Sequence, residues 1–155
     1  MDTSKTKIFN PFPGLRPFTI EESHLFFGRG GQSDEVLNLL SNNRFAAVIG
    51  TSGSGKSSLM YCGVVPTLHG GFVTGAGSQW KIMATRPGQS PINNLADTLV
   101  KHQFEDKTDD EIAQKKSQLS AILSSSSKGL VEAIQTTQSN KDENILLLVD
   151  QFEEL

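Results

Sequence analysis

The chain of 155 residues has one cysteine, one tryptophan and one tyrosine, no basic tract and no apolar stretch approaching the length of a membrane span. Each shortage excludes something. A lone Cys62 rules out a disulfide framework, and its place behind a glycine-rich loop makes it a buried helix residue rather than a nucleophile. The three histidines, His24, His69 and His102, stand far apart without ligand spacing, so they read as ordinary surface or core residues. The 14 basic and 17 acidic side chains are scattered and leave a net charge of -3, which argues against nucleic acid and membrane partners. The opening MDTSKTKIFNPF carries no apolar signal core, and the expected compartment is the cytoplasm.

What is present centres on Gly50-Thr51-Ser52-Gly53-Ser54-Gly55-Lys56-Ser57, which satisfies G-x-x-x-x-G-K-[ST] at every constrained position. The flanks supply a strand-length apolar run, Arg44 to Ile49, and a helix start from Lys56 to Cys62. Strand, glycine loop and helix together form a phosphate cradle. Gly50, Gly53 and Gly55 allow the backbone to turn successive N–H groups inward, and the helix start adds unpaired donors and a positive dipole end. Lys56 is then expected to reach the β- and γ-phosphates, Ser57 to ligate Mg²⁺, and Ser58 to complete the nucleotide-binding set.

Phe9 to Phe18 (FNPFPGLRPF) contains Pro11, Pro13 and Pro17 and reads as an extended arm over residues 1–18, whose Phe9, Phe12, Leu15 and Phe18 pack onto the domain formed by residues 19–155. Thr19 and Glu22 fit a capping box opening a short helix to about Leu25. The pattern predicts a helix over Asp34 to Leu40 with Ser33 as N-cap and Val36, Leu37 and Leu40 inward. Pro66 and His69-Gly70-Gly71 mark a break after the loop helix, and Thr74 to Ser78 reads as loop. Trp80 to Thr85 alternates as a strand closed by Arg86-Pro87-Gly88, and Ser90-Pro91 opens a helix with Ile92, Leu95, Ala96, Leu99 and Val100 on its core face. Thr108 and Glu111 form a second capping box, with Ile112, Leu119, Ile122 and Leu123 inward. Ser124 to Ser127 ends that helix, a further one carries Leu130, Val131 and Ile134, and Gln138 to Asn144 is polar loop.

Ile145 to Val149 is continuously apolar, as a parallel strand buried on both faces requires, and Asp150 stands at its carboxyl end, placed to hold Mg²⁺. Glu153 and Glu154 follow, and a carboxylate there can take a proton from an attacking water. The sequence lacks an N-K-x-D guanine-reading motif and an arginine-rich lid, which disfavours a GTPase and a small-molecule kinase.

FNPFPGLRPF, FFGRGGQSDEVLNLL, GTSGSGKSSL, the Trp80 strand with RPG, and ILLLVDQFEEL together resemble the novel STAND NTPase family of bacterial signal-transduction ATPases. The resemblance spans nearly the whole chain. It implies an α/β fold, a P-loop NTPase three-layer parallel sheet of the additional-strand (STAND/AAA-like) type, incomplete at the C-terminus because a sensor-bearing strand lies beyond Leu155. The sequence is accordingly expected to be the amino-terminal part of a larger switch protein with downstream repeat or effector domains. The resemblance further implies ATP/ADP and Mg²⁺ as cofactors, self-association through the NTPase domain, and slow hydrolysis. Phe27, Gly28 and Arg29 resemble the pre-loop element that lies against base and phosphates, although Gly30 stands where that element commonly has an acid. Asp150 resembles the Mg²⁺-coordinating aspartate of the Walker B motif (145–150), and Glu154, with Glu153 as the alternative, the water-activating base. A metabolite kinase and a non-hydrolysing nucleotide-binding interaction module are the competing readings.

Overall fold

The computed structural model describes residues 13–14, 16–71, 79–102, 108–138, 140 and 143–155. The expected packing of Phe9, Phe12 and Leu15 and the loop from Thr74 to Ser78 lie outside these residues. The chain divides into two compact units, Met1–Ser78 and Gln79–Leu155.

In the first unit a 3₁₀ turn, Ile20–Leu25, opens with the expected capping box, the Glu22 carboxylate accepting the Thr19 N–H at 3.0 Å. Helix α1 spans Gly30–Asn43 and buries Ser33, Val36 and Leu37. Its start differs from the expectation. Arg29 is the N-cap, its carbonyl accepting the N–H groups of Gln32 and Ser33, and Ser33 lies one turn inside the helix. The physical reason is a close crossing: a side chain at Gly63 would stand 2.1 Å from Ser33 Oγ, so Ser33 is drawn inward as a packing residue rather than left at the end as a cap.

Helix α2 is one continuous run with three registers: α over Lys56–Ser58, π over Leu59–Val64 and α again over Val65–His69. Pro66 does not end it, contrary to the sequence reading. The π segment widens the ladder so that Val65 N–H reaches the Met60 carbonyl, and Thr67 Oγ1 donates to the Gly63 carbonyl at 2.8 Å. A shifted register of this kind accommodates a residue without an N–H. The helix ends instead at Gly70 and Gly71, the latter at φ 74°.

The segment before the loop is the largest departure. Arg44 caps α1 in the left-handed region, and residues 45–50 run without a ladder partner among the described residues. Phe45 is 72% and Ile49 92% exposed. A short apolar run suits a strand, but hydrogen-bonded neighbours make one, and none is formed among the described residues.

The second unit is built on a parallel pair, β1 (Trp80–Thr85) and β2 (Asn144–Val149), in register from Trp80 with Asn144 to Thr85 with Val149. Between them run α3 (Pro91–Lys101), α4 (Asp109–Ser125) and α5 (Gly129–Thr137). Thus the described residues form a mixed helix and strand fold with a two-stranded parallel sheet. Ser90 and Pro91 open α3 and the Thr108–Glu111 capping box opens α4, as the sequence predicts. Met83, Ala96, Leu99, Val100, Leu119, Leu123 and Ala133 form the core, with Ile145 and Leu147 packed against it. β2 is less enclosed than a doubly covered strand, since only Leu146 is fully buried and its other residues are half-buried. Helix α5 differs too. Ile134 packs against the core, but Leu130 and Val131 are exposed, and the buried positions are Gly129, Ala133 and Thr137.

Gly129 explains that rotation. A Cβ there would lie 2.4 Å from the Ile122 carbonyl and 2.8 Å from that of Leu123, both backbone atoms that cannot step aside. Gly129→Ala is expected to destabilise the chain by about 2–3 kcal/mol in denaturant unfolding. Gly63→Ala meets a side-chain oxygen instead, so its cost of about 1–3 kcal/mol should fall markedly when Ser33→Ala is added. Additive effects of the Gly63 and Ser33 substitutions would refute the close-crossing account.

Candidate functional site

Two clusters of the sequence-selected residues occur, one in each unit. In the first, residues 50–58 lead from extended chain into α2. Gly53 and Gly55 take φ 76° and 86°, and a Cβ built on either meets nothing within 4 Å. The loop is held locally: Ser54 N–H donates to the Thr51 carbonyl at 3.2 Å and Leu59 N–H to the Gly55 carbonyl at 2.8 Å. Lys56 Nζ folds back over the loop and donates to the carbonyls of Gly50 at 2.9 Å and Thr51 at 3.2 Å. Gly50 faces inward, where an added Cβ would lie 2.9 Å from Ser54 Oγ. Ser58 is buried and accepts the Phe18 N–H at 3.1 Å through its hydroxyl, which ties the arm to the start of α2.

Beside α2 lies a cleft of about 220 Å³ lined by Phe26, Arg29, Gly30, Ser33, Asp34, Cys62, Gly63 and Thr67. Phe26 packs edge-on against Phe18, with ring centroids 6.1 Å apart, whereas Phe27 is 79% exposed. Arg29 Nη1 donates to Gln32 Oε1 at 3.2 Å, and Gly28 takes φ 83° to turn the chain between Phe27 and Arg29. The Cys62 thiol donates to the Thr19 carbonyl at 3.1 Å and burial pushes its pKa up, which makes it a packing residue.

The segment entering this cleft is set by Arg16. Its guanidinium grips the Glu22 carboxylate with two 2.6 Å bonds and also donates to the Pro17 carbonyl at 3.0 Å. The Arg16 bonds, followed by the Thr19 N–H, hold the Glu22 carboxyl down at about 2, against an ordinary 4.5.

In the second unit the ladder continues one step past β2, Asp150 N–H donating to the Thr85 carbonyl at 2.9 Å. Arg86 Nε and Nη2 both point at Asp150 Oδ2, at 3.2 and 3.0 Å. Gln151 turns the chain at φ 57° into a 3₁₀ turn, Phe152–Glu154, and the Gly88 N–H donates to Glu154 Oε2 at 3.3 Å. The Asn94 side chain fastens the intervening loop by donating to the carbonyls of Arg86 at 3.2 Å and Pro87 at 2.8 Å. Glu153 is exposed. Arg86, Gly88 and Asn94 were not selected from sequence for any role at this cluster. The signal available was the Arg86-Pro87-Gly88 turn closing β1, and its meaning depends on which strand lies next to β1. No helix among the described residues is long and apolar enough to cross a membrane, and no trio of His, Cys, Asp or Glu among them forms a metal cluster.

Comparison with known proteins places these features in one class. Residues 11–155 match the family model described as Novel STAND NTPase 1, and the chain belongs to that family. It is thereby a P-loop NTPase domain of the nucleotide-binding kind. Neither a curated protein nor a solved structure matches the chain.

The Glu22 carboxyl is depressed, so the stability it contributes is present above about pH 4.5 and is lost as the pH falls towards about 2. The melting temperature of the intact chain should therefore exceed that of Arg16→Ala at neutral pH, by a small margin because the pair is exposed, and the two should converge on acidification. A margin that persists unchanged down to about pH 2 would assign it to packing instead.

Proposed function

We propose that this chain is the ATP-binding part of a STAND-type molecular switch, in which Mg-ATP binds at residues 50–58, slow hydrolysis follows, and the bound nucleotide biases self-association. On this reading the sheet belongs to the three-layer, additional-strand architecture of that class.

The observation that carries the reading is the state of the glycine loop. Gly53 and Gly55 hold left-handed angles with open space where a side chain would stand, and α2 begins immediately after them. That combination suits an anion, since loop and helix-start N–H groups and a dipole end converge there. The Lys56 ammonium is parked on two neutral carbonyls. Exchanging them for phosphate oxygens replaces neutral acceptors with charged ones, a gain in bond strength without the loss of an ion pair. Thus the residues present fit a nucleotide triphosphate.

Ser57 and Asp150 are the residues we assign to Mg²⁺, whose chemistry would be to neutralise phosphate charge during transfer to water. The segment Phe26 to Arg29 is assigned to the nucleotide, the exposed Phe27 to the base and Arg29, which lines the cleft with Phe26, to a phosphate or a structural acid. Glu154 is the preferred proton acceptor for the attacking water, with Glu153 as its alternative. The engagement of Asp150 by Arg86 and of Glu154 by Gly88 favours a slow hydrolase over a fast one, because both carboxylates need to be released or re-aimed before use.

Calorimetry with ATP, ADP and GTP tests this reading. Lys56→Ala is expected to weaken adenine-nucleotide affinity by about 100-fold or more, the loss of two charge-assisted hydrogen bonds at about 1.5–3 kcal/mol each. Glu154→Gln should leave binding intact and slow phosphate release by about 10²–10⁴-fold. Unchanged ATP affinity in Lys56→Ala sinks the proposal.

A further inference from the structure

We propose that Arg86 is a positioning residue that occupies the Asp150 carboxylate in the metal-free protein and competes with a divalent cation for it. The inference rests on the reading of Asp150 as a Mg²⁺ ligand and adds a residue that sets how readily that ligand becomes available.

Three features carry it. Both guanidinium donors, Nε at 3.2 Å and Nη2 at 3.0 Å, converge on the single oxygen Oδ2, so the contact is a clamp on one atom rather than a shared fork. The partners also differ in exposure. The Asp150 side chain is 11% exposed and that of Arg86 55%. A carboxylate screened to this degree has lost most of its water and needs a cation beside it, whereas the guanidinium at the rim regains water when it leaves. Finally, the backbone under both groups is fixed independently of the ion pair, by the Asp150 N–H on the Thr85 carbonyl and by Asn94 on the carbonyls of Arg86 and Pro87. Removing or displacing the Arg86 side chain therefore leaves Asp150 where it is.

A divalent ion on the same oxygen repels a guanidinium at hydrogen-bond distance, so metal and Arg86 exclude one another. Glu154 shares the loop through the Gly88 N–H, so residues 86–88 engage both Asp150 and Glu154.

The test is the Mg²⁺ dependence of ADP affinity, measured by calorimetry on the full chain. Arg86→Ala should lower the Mg²⁺ concentration for half-maximal effect by about three- to tenfold. Arg86→Lys should return it towards the original value, and circular dichroism should show both variants folded. Asp150→Asn should abolish the Mg²⁺ effect. An Mg²⁺ effect that survives Asp150→Asn overturns the assignment of Asp150 itself. An effect lost in Asp150→Asn but unmoved or weakened in Arg86→Ala leaves that assignment standing and overturns the competition. The unsubstituted protein supplies a second readout. The Arg86 Nε–H resonance should be present in the metal-free chain and should shift when Mg²⁺ and ADP are added; a resonance unmoved at saturation overturns the proposal whatever the variants do.

Discussion

The parallel register of β1 with β2 is the constraint on which the Arg86–Asp150 cluster depends. Because Thr85 lies opposite Val149, the next residue of each strand, Arg86 and Asp150, must emerge side by side at the carboxyl end of the sheet. Sixty-four positions of sequence separate them. A shift of one residue would send Asp150 to the opposite face and leave a screened carboxylate without its cation. The register in turn is held by the core beneath it, where Met83 from β1 and Leu147 from β2 stand opposite one another on the face that α3, α4 and α5 cover. Apolar packing on one face thus decides which charges meet at the sheet end.

Glycine provides the second constraint, and it acts through what the missing Cβ admits. Gly63 lets α1 approach α2 until Ser33 fills the gap, and Gly129 lets α5 sit on the last carbonyls of α4. In both cases helix placement follows from the close crossing rather than from the hydrophobic count, which is why Leu130 and Val131 end up outside while Ala133 and Thr137 face in. Small residues at a crossing are a weak signal along one dimension of sequence because their consequence lies on another element.

That distinction explains which features were legible beforehand. The capping boxes at Thr19–Glu22 and Thr108–Glu111, the Ser90-Pro91 start and the two sheet strands rest on interactions within a few residues or on strong periodicity, and these match the structure. The cap role of Ser33 was misread because it depends on Gly63, thirty residues on, whereas the break at Pro66 was misread because the register of the turn before it is not legible from residue type. Pro66 is instructive: a proline ends an α-helix by a clash and a missing donor, and a π turn ahead of it changes both terms. The Arg86–Asp150 pair was invisible too, since neither residue type nor spacing announces a partner across a sheet.

The same division between local and distant causes runs through the glycine loop itself. The apolar run before it, residues 45–49, expected as a strand, lacks ladder partners among the described residues and leaves Phe45 and Ile49 exposed. The loop nevertheless keeps its form, and contacts within ten residues hold it: the left-handed angles of Gly53 and Gly55, the Ser54 to Thr51 bond, the Leu59 to Gly55 bond and the lysine folded onto Gly50 and Thr51. The form of the loop is therefore set in good part by the local sequence, whereas the burial of the apolar run before it would need partners from elsewhere in the chain. Pairing residues 45–49 into a ladder would add hydrogen bonds at about 0.5–1.5 kcal/mol each and cover two large apolar side chains without altering the loop's own dihedrals. The burial of the apolar run and the dihedrals of the glycine loop are separable here, and the loop's form depends on the more local of the two.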